Sequence, residues 1–150
     1  MESVLRVFQV LQPDAAKADI LRSMELFAGM RWPELEEVGA QFDEVVVPRG
    51  ARLTVQGRTD TRLSVLVSGE ALVSADARPL RVIGHGDTVG LASMLYRINS
   101  PETTIALSPI RALSAGPEQF RELVRQATIR RRLTALATEQ LRRRRPFRGR

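Results

Sequence analysis

Few side chains in this sequence are of a type that does chemistry, and their spacing suits little of it. There is no cysteine, so thiol nucleophiles, disulfides and Cys-based metal sites are excluded. The single histidine, His85, stands in Gly84-His85-Gly86-Asp87, a glycine-punctuated turn. One imidazole with scattered carboxylates has no metal-ligand spacing and makes a poor catalytic dyad. Neither catalysis nor a metal or cofactor is expected. Arginine is the residue that stands out. Residues 121–150 hold 11 Arg against Glu122 and Glu139, a net +9, while residues 1–120 are net −3. The densest blocks are Arg130, Arg131, Arg132 and then Arg142, Arg143, Arg144, Arg145. A basic end on a mildly acidic body suits an anionic partner (nucleic acid, lipid surface or acidic protein patch) or a solvated terminus. Phe147 is the one aromatic in that stretch, so base-stacking platforms are sparse.

The elements that must position these residues are legible in outline. Apolar residues are 43% of the 150 and charged residues 27%, a balance that suits one soluble globular domain. No apolar run reaches the ~20 residues of a membrane-spanning helix. Val4–Leu11 is broken by Arg6 and Gln9 with no small-residue cleavage site after it, so a secretory signal is not expected and a cytoplasmic location is. Residues 1–42 read as helical. Asp14 or Asp19 caps a segment carrying Ile20, Leu21, Met24 and Phe27, with Gly29 as its stop. Trp32-Pro33 opens a second helix with Leu35 and Val38 facing inward, and both Phe27 and Trp32 are expected in the core.

From Phe42 to Ala115 the texture changes to short Val/Leu/Thr-rich runs. These are residues 44–47, 52–56, 63–67, 71–74, 80–83, 103–107 and 110–113, separated by Gly and Pro. Turns at such intervals predict an antiparallel sandwich or barrel, and Leu63, Val65 and Val67 alternate toward a core. From Pro117 a helical stripe returns through Phe120, Leu123, Val124, Ala127, Leu133, Leu136, Ala137 and Leu141. The domain organisation expected is a helical extension over 1–20, one domain over 21–145 and a disordered basic tail over 146–150.

This order resembles the cyclic nucleotide-binding domain superfamily, which includes the bacterial catabolite activator proteins and regulatory domains of protein kinases and ion channels. The resemblance covers about Leu21–Leu141. It rests on Leu26-Phe27-Ala28-Gly29-Met30 with Glu34-Leu35, on Val47-Pro48-Arg49-Gly50-Ala51-Arg52-Leu53 with Gln56-Gly57, and on Val67-Ser68-Gly69-Glu70-Ala71-Leu72-Val73. Gly86-Asp87-Thr88-Val89-Gly90 matches the approach to the family's phosphate-binding cassette. It implies a mainly β fold with flanking helices: an antiparallel jelly roll (double-stranded β-helix), a helical N-terminus and a long C-terminal helix. It also implies a ligand pocket at Gly90, Leu91, Ala92, Ser93, Glu102, Thr103 and Thr104.

In family members that bind cyclic nucleotides, a Glu follows the cassette glycine and accepts from the ribose, and an Arg about a dozen residues on pairs with the phosphate. Here those positions match Leu91 and Glu102. A carboxylate where an anion must bind, with no ribose acceptor, counts against cyclic AMP and cyclic GMP alike. Arg97 is nearby in sequence and is expected on a solvated loop. The leading expectation is a non-enzymatic regulatory or adaptor module acting on a protein partner or larger assembly. Its rivals are a small-ligand sensor with an unusual pocket and a nonspecific nucleic-acid or anionic-membrane binder acting through the arginines. The chain ends about where relatives begin a helix-turn-helix, so no sequence-specific DNA reading is expected. Ile129, Leu133, Leu136 and Leu141 offer a short homodimer seam on the C-terminal helix.

Overall fold

A computed structural model describes residues 14–144 of the chain. The expectations for residues 1–13, for Arg145 and for the 146–150 tail lie outside that range, as does the side chain of Arg144. Among the described residues there are eight strands: β1 Asp43–Val47, β2 Arg52–Thr54, β3 Leu63–Ser68, β4 Ala71–Ala75, β5 Arg78–Ile83, β6 Thr88–Val89, β7 Thr103–Ala106 and β8 Ile110–Ala115. They form two antiparallel four-stranded sheets, ordered β1-β8-β3-β6 and β2-β7-β4-β5. The chain crosses repeatedly between them, as the jelly-roll expectation requires. Seven strands fall on the seven expected segments; β6, two residues long, is additional.

The helices lie on one side. They are α1 Asp14–Arg22, α2 Trp32–Gly39, the short α3 Leu91–Tyr96, α4 Pro117–Arg125 and α5 Ala127–Arg144, with a 3₁₀ turn at Glu25–Phe27. Pro33 and Pro117 sit in first turns, where a missing N–H costs nothing. Carboxylate and amide oxygens of Glu34 and Gln119 accept from the N–H groups of Arg31 and Gly116 at 2.9 and 2.8 Å. The expected first segment is split: α1 ends at Arg22 and Met24–Phe27 turn tightly, so Gly29 follows the 3₁₀ turn. The C-terminal stripe is also split, because Gln126 adopts an extended conformation between α4 and α5.

Two cores result. Leu63, Val65, Leu113 and Ala115 on the outer face of the first sheet pack against Leu21, Phe27, Leu35, Leu123, Ile129 and Leu133 from the helices. Val45, Val47, Leu66, Val73, Ile83 and Ile110 fill the space between the sheets. Strand β3 therefore has both faces buried, with Leu63 and Val65 turned to the helices and Leu66 to the interior. Phe27 is buried as expected. Trp32 is not: it is 37% exposed, and the Arg22 guanidinium lies 5.3 Å from its ring centre. At the first position of α2 the indole reaches solvent, and a cation–π contact takes the place of core packing.

Candidate functional site

The cassette expected from sequence folds into one pocket. Gly90 caps α3 with φ +86°, and a Cβ there would collide with the Arg62 carbonyl oxygen, so glycine alone permits this approach. Leu91 follows and is 1% exposed, shared between the pocket wall and the helical core. Ser93 Oγ accepts the Asp60 N–H at 3.1 Å and donates to the Ile98 carbonyl at 2.5 Å, which ties α3 to both neighbouring loops. Across the pocket, β7 supplies Thr104. Its Oγ1 lies 3.1 Å from Thr54 Oγ1, which lies 3.0 Å from the Glu102 carbonyl. Gly90, Leu91, Ala92, Ser93, Glu102 and Thr104 all line this space. Thr103 does not: strand alternation turns it outward, where its Oγ1 accepts the Gln56 N–H at 2.9 Å.

The pocket's cation comes from a place the sequence did not indicate. Arg81, on β5 opposite Val73, points inward and meets Glu102 in a two-pronged pair, both N–O distances being 3.1 Å. Glu102 is 16% exposed and Arg81 35%. Two parallel charge-assisted bonds of this kind hold an anion with fixed geometry. Arg97, in contrast, follows α3 in a left-handed conformation, is exposed, and does not line the pocket.

Asp60 is the other charged lining group that sequence reading missed. Burial pushes its carboxyl up to about 6, partly offset by a hydrogen bond from Ser100, and its Oδ2 is buried with no hydrogen-bond partner. Gln140 near the end of α5 donates to Thr88 Oγ1 at 3.0 Å, so the C-terminal helix closes one side. The cavity left is about 30 Å³. That holds a water or two, whereas small-molecule pockets run to about 300–1,000 Å³.

Other expected residues are placed as follows. His85 Nδ1 lies 2.8 Å from the Val67 carbonyl and Nε2 3.2 Å from Ser23 Oγ, so the imidazole fastens a turn. Among the described residues no cluster of three or more His, Asp or Glu is arranged to hold a metal, and no helix is long and apolar enough to cross a membrane. The arginine blocks are partly spent on the fold. Arg130 and Arg132 donate to the carbonyls of Val124 and Leu26, and Arg142 and Arg143 pair with Glu139; Arg131 is exposed. Ile129 and Leu133, two of the four seam residues, are buried in the chain's own core.

A family model described as "Cyclic nucleotide-binding domain" matches residues 44–127, more than half of the chain. The chain belongs to that family. Solved structures carry the same fold. The regulatory domain of Toxoplasma gondii protein kinase A, crystallised with cAMP, is 16% identical with a TM-score of 0.74, over 85% of this chain and 50% of that one. The catabolite activator protein of Thermus thermophilus is 23% identical with a TM-score of 0.71, over 79% and 58%. The regulatory subunit of a cAMP-independent protein kinase A from Trypanosoma brucei is 12% identical with a TM-score of 0.73, over 87% and 46%. The chain thus spans about half the length of these family members. Among curated protein sequences there is no significant match.

Proposed function

We propose that this chain is a non-enzymatic regulatory or adaptor module of the cyclic nucleotide-binding family that does not bind cyclic AMP or cyclic GMP and works through protein contacts. The observation that carries the reading is the Arg81–Glu102 pair inside a cavity of about 30 Å³. Glu102 supplies from within the chain the anion that a cyclic phosphate would supply from outside. A ligand phosphate would have to displace it and break a sheltered two-pronged charge pair, at a cost of about 2–5 kcal/mol. Leu91, turned into the core, offers the ribose no acceptor. The Trypanosoma neighbour described as cAMP-independent is in keeping with this reading.

The test is calorimetric titration of the full chain with cyclic AMP and with cyclic GMP at moderate salt. No saturable heat is expected with either; micromolar binding of either would overturn the reading. A second reading, a sensor for a different small anion, has Arg81 in its favour, since that residue brings a cation into the pocket. It expects the parent chain to bind inorganic phosphate and the Arg81→Ala variant to lose that binding.

A further inference from the structure

His85 is the chain's one histidine and takes no part in the pocket. It stands in the turn between β5 and β6, whose backbone is tied to β3. The Gly86 N–H donates to the Leu66 carbonyl at 2.8 Å, and the Leu66 N–H to the Asp87 carbonyl at 2.9 Å. From that fixed turn the exposed imidazole reaches two elements. Nδ1 lies 2.8 Å from the Val67 carbonyl on β3, and Nε2 lies 3.2 Å from Oγ of Ser23, the residue after α1. The ring therefore bridges the β-roll to the end of the first helix, close to where a Cβ on Gly86 would touch Met24. Proton counting shows what this bridge needs. A carbonyl oxygen only accepts, so Nδ1 must carry a proton. Ser23 has one hydroxyl proton, which the Ile20 carbonyl takes at 2.7 Å, so its Oγ faces Nε2 as an acceptor too.

We propose that His85 and Ser23 form a pH-sensitive latch: protonation of the ring fastens the end of α1 to the turn that leads into β6 and Gly90, and deprotonation releases it. Two acceptors on the two ring nitrogens are satisfied together only by the imidazolium. Neutral, with its proton on Nδ1, the ring meets Ser23 lone pair to lone pair. Either that contact opens, or Ser23 turns its proton to Nε2 and gives up the Ile20 carbonyl in the last turn of α1. Both outcomes loosen the same helix end. The positive ring also lies at the C-terminus of α1, where the helix dipole favours a cation. The charged groups around it are Asp87 in its own turn, which accepts the Gly84 N–H, Asp19 and Arg22 on α1, which pair with each other, Glu25 in the 3₁₀ turn, and Glu70 beyond β3. None of these carboxylates is within ion-pair distance of the imidazole, so its two hydrogen-bond partners govern the latch. The latch is independent of whether the pocket takes a ligand.

The test reads both the ring and the helix end in the full chain, carrying Asp60→Asn so that the pocket carboxyl adds no pH dependence of its own. With one histidine, the ring signals belong to His85 alone. The nitrogen NMR shifts of the ring are expected to show N–H on both nitrogens at about pH 5.5 and on Nδ1 alone at about pH 8. Amide exchange of residues 20–27, corrected for the intrinsic pH dependence of exchange, is expected to be about threefold slower at the lower pH, the size of one exposed hydrogen bond. Ser23→Ala keeps the Val67 bond and removes the second acceptor; it is expected to abolish that difference, as is His85→Ala. A neutral ring protonated on Nε2, equal protection at both pH values, or a difference that survives either variant overturns the proposal.

Discussion

The two sheets are built from similar residues and meet opposite fates. In the first, β3 and β8 are covered twice, by helices outside and by the second sheet inside; Leu63, Val65, Leu66, Ala112 and Leu113 are all 1% exposed or less. In the second, strand alternation divides inward from outward residues, and on β5 the division runs against hydrophobicity: the arginine is inside and the leucine and valine are out. A strand buried on both faces has no wrong register for its apolar residues. A strand with one bare face can turn either way, so β5 is free to give its inward position to Arg81. The pocket's ion pair and the exposed apolar strip are consequences of that one choice.

Mutations can break or sharpen this contrast. The largest effect belongs to the doubly covered sheet. Leu113→Ala, in the helical core, is expected to lower unfolding free energy by about 3–5 kcal/mol in urea denaturation. A loss near 1 kcal/mol would mean the helical cover is dispensable. Gly90→Ala comes next, at about 2–3 kcal/mol, because it combines a left-handed conformation with a collision against the Arg62 carbonyl.

At the seam between the sheets, Asp60 gives an effect of opposite sign. Its carboxyl titrates at about 6 in the folded chain against 3.8 ordinarily. The folded state therefore holds the proton more tightly than the unfolded chain does. The stability this gives is complete below about pH 4 and is lost as pH rises through 6. Asp60→Asn is expected to stabilise by about 1–2 kcal/mol above pH 6, an amount already reduced for partial solvent screening, and to match the parent near pH 4. Thermal melts across that range check it, and a gain independent of pH would remove Asp60 as the cause. The smallest effect is Val82→Ser on the bare face, within about 0.5 kcal/mol in dilute solution. A large loss there would mean that the strip packs against something within a single chain.

The same contrast explains what could be foreseen. Seven strands were legible because Gly50, Gly57, Gly69 and Gly84 and the Pro residues mark the corners, and the pocket was legible because Gly90 and Leu91 sit where the family's cassette has its Gly-Glu pair. The two residues of β6 carry no period to detect. The break at Gln126 has neither Gly nor Pro, so its helical stripe looked continuous. Arg81 was hidden because Leu80 and Val82 point to the opposite face for the core; only Ile83, buried at 7% exposure, gives its true orientation. Trp32 misled for a related reason, since an aromatic next to a core helix need not face it. Asp60 left no trace, since nothing local in a loop foretells which carboxylate the tertiary structure will cover.

The pairing of β1 with β8 has a kinetic meaning. Asp43 lies opposite Ser114, about seventy residues later in the chain, and β8 is also the partner that joins β1 to β3. The first sheet cannot form until residue 115 is available, and its central strand is its last to be synthesised. Such distant pairing makes folding slow, on the order of milliseconds to seconds, because loop-closure entropy is lost before long-range contacts compensate. During that interval β3 waits without its neighbour β8 and without the α4 and α5 part of its helical cover. A nascent chain stalled short of β8 would display that strand, which makes the hundred-odd residues before Ile110 the dangerous length for this protein to be caught at.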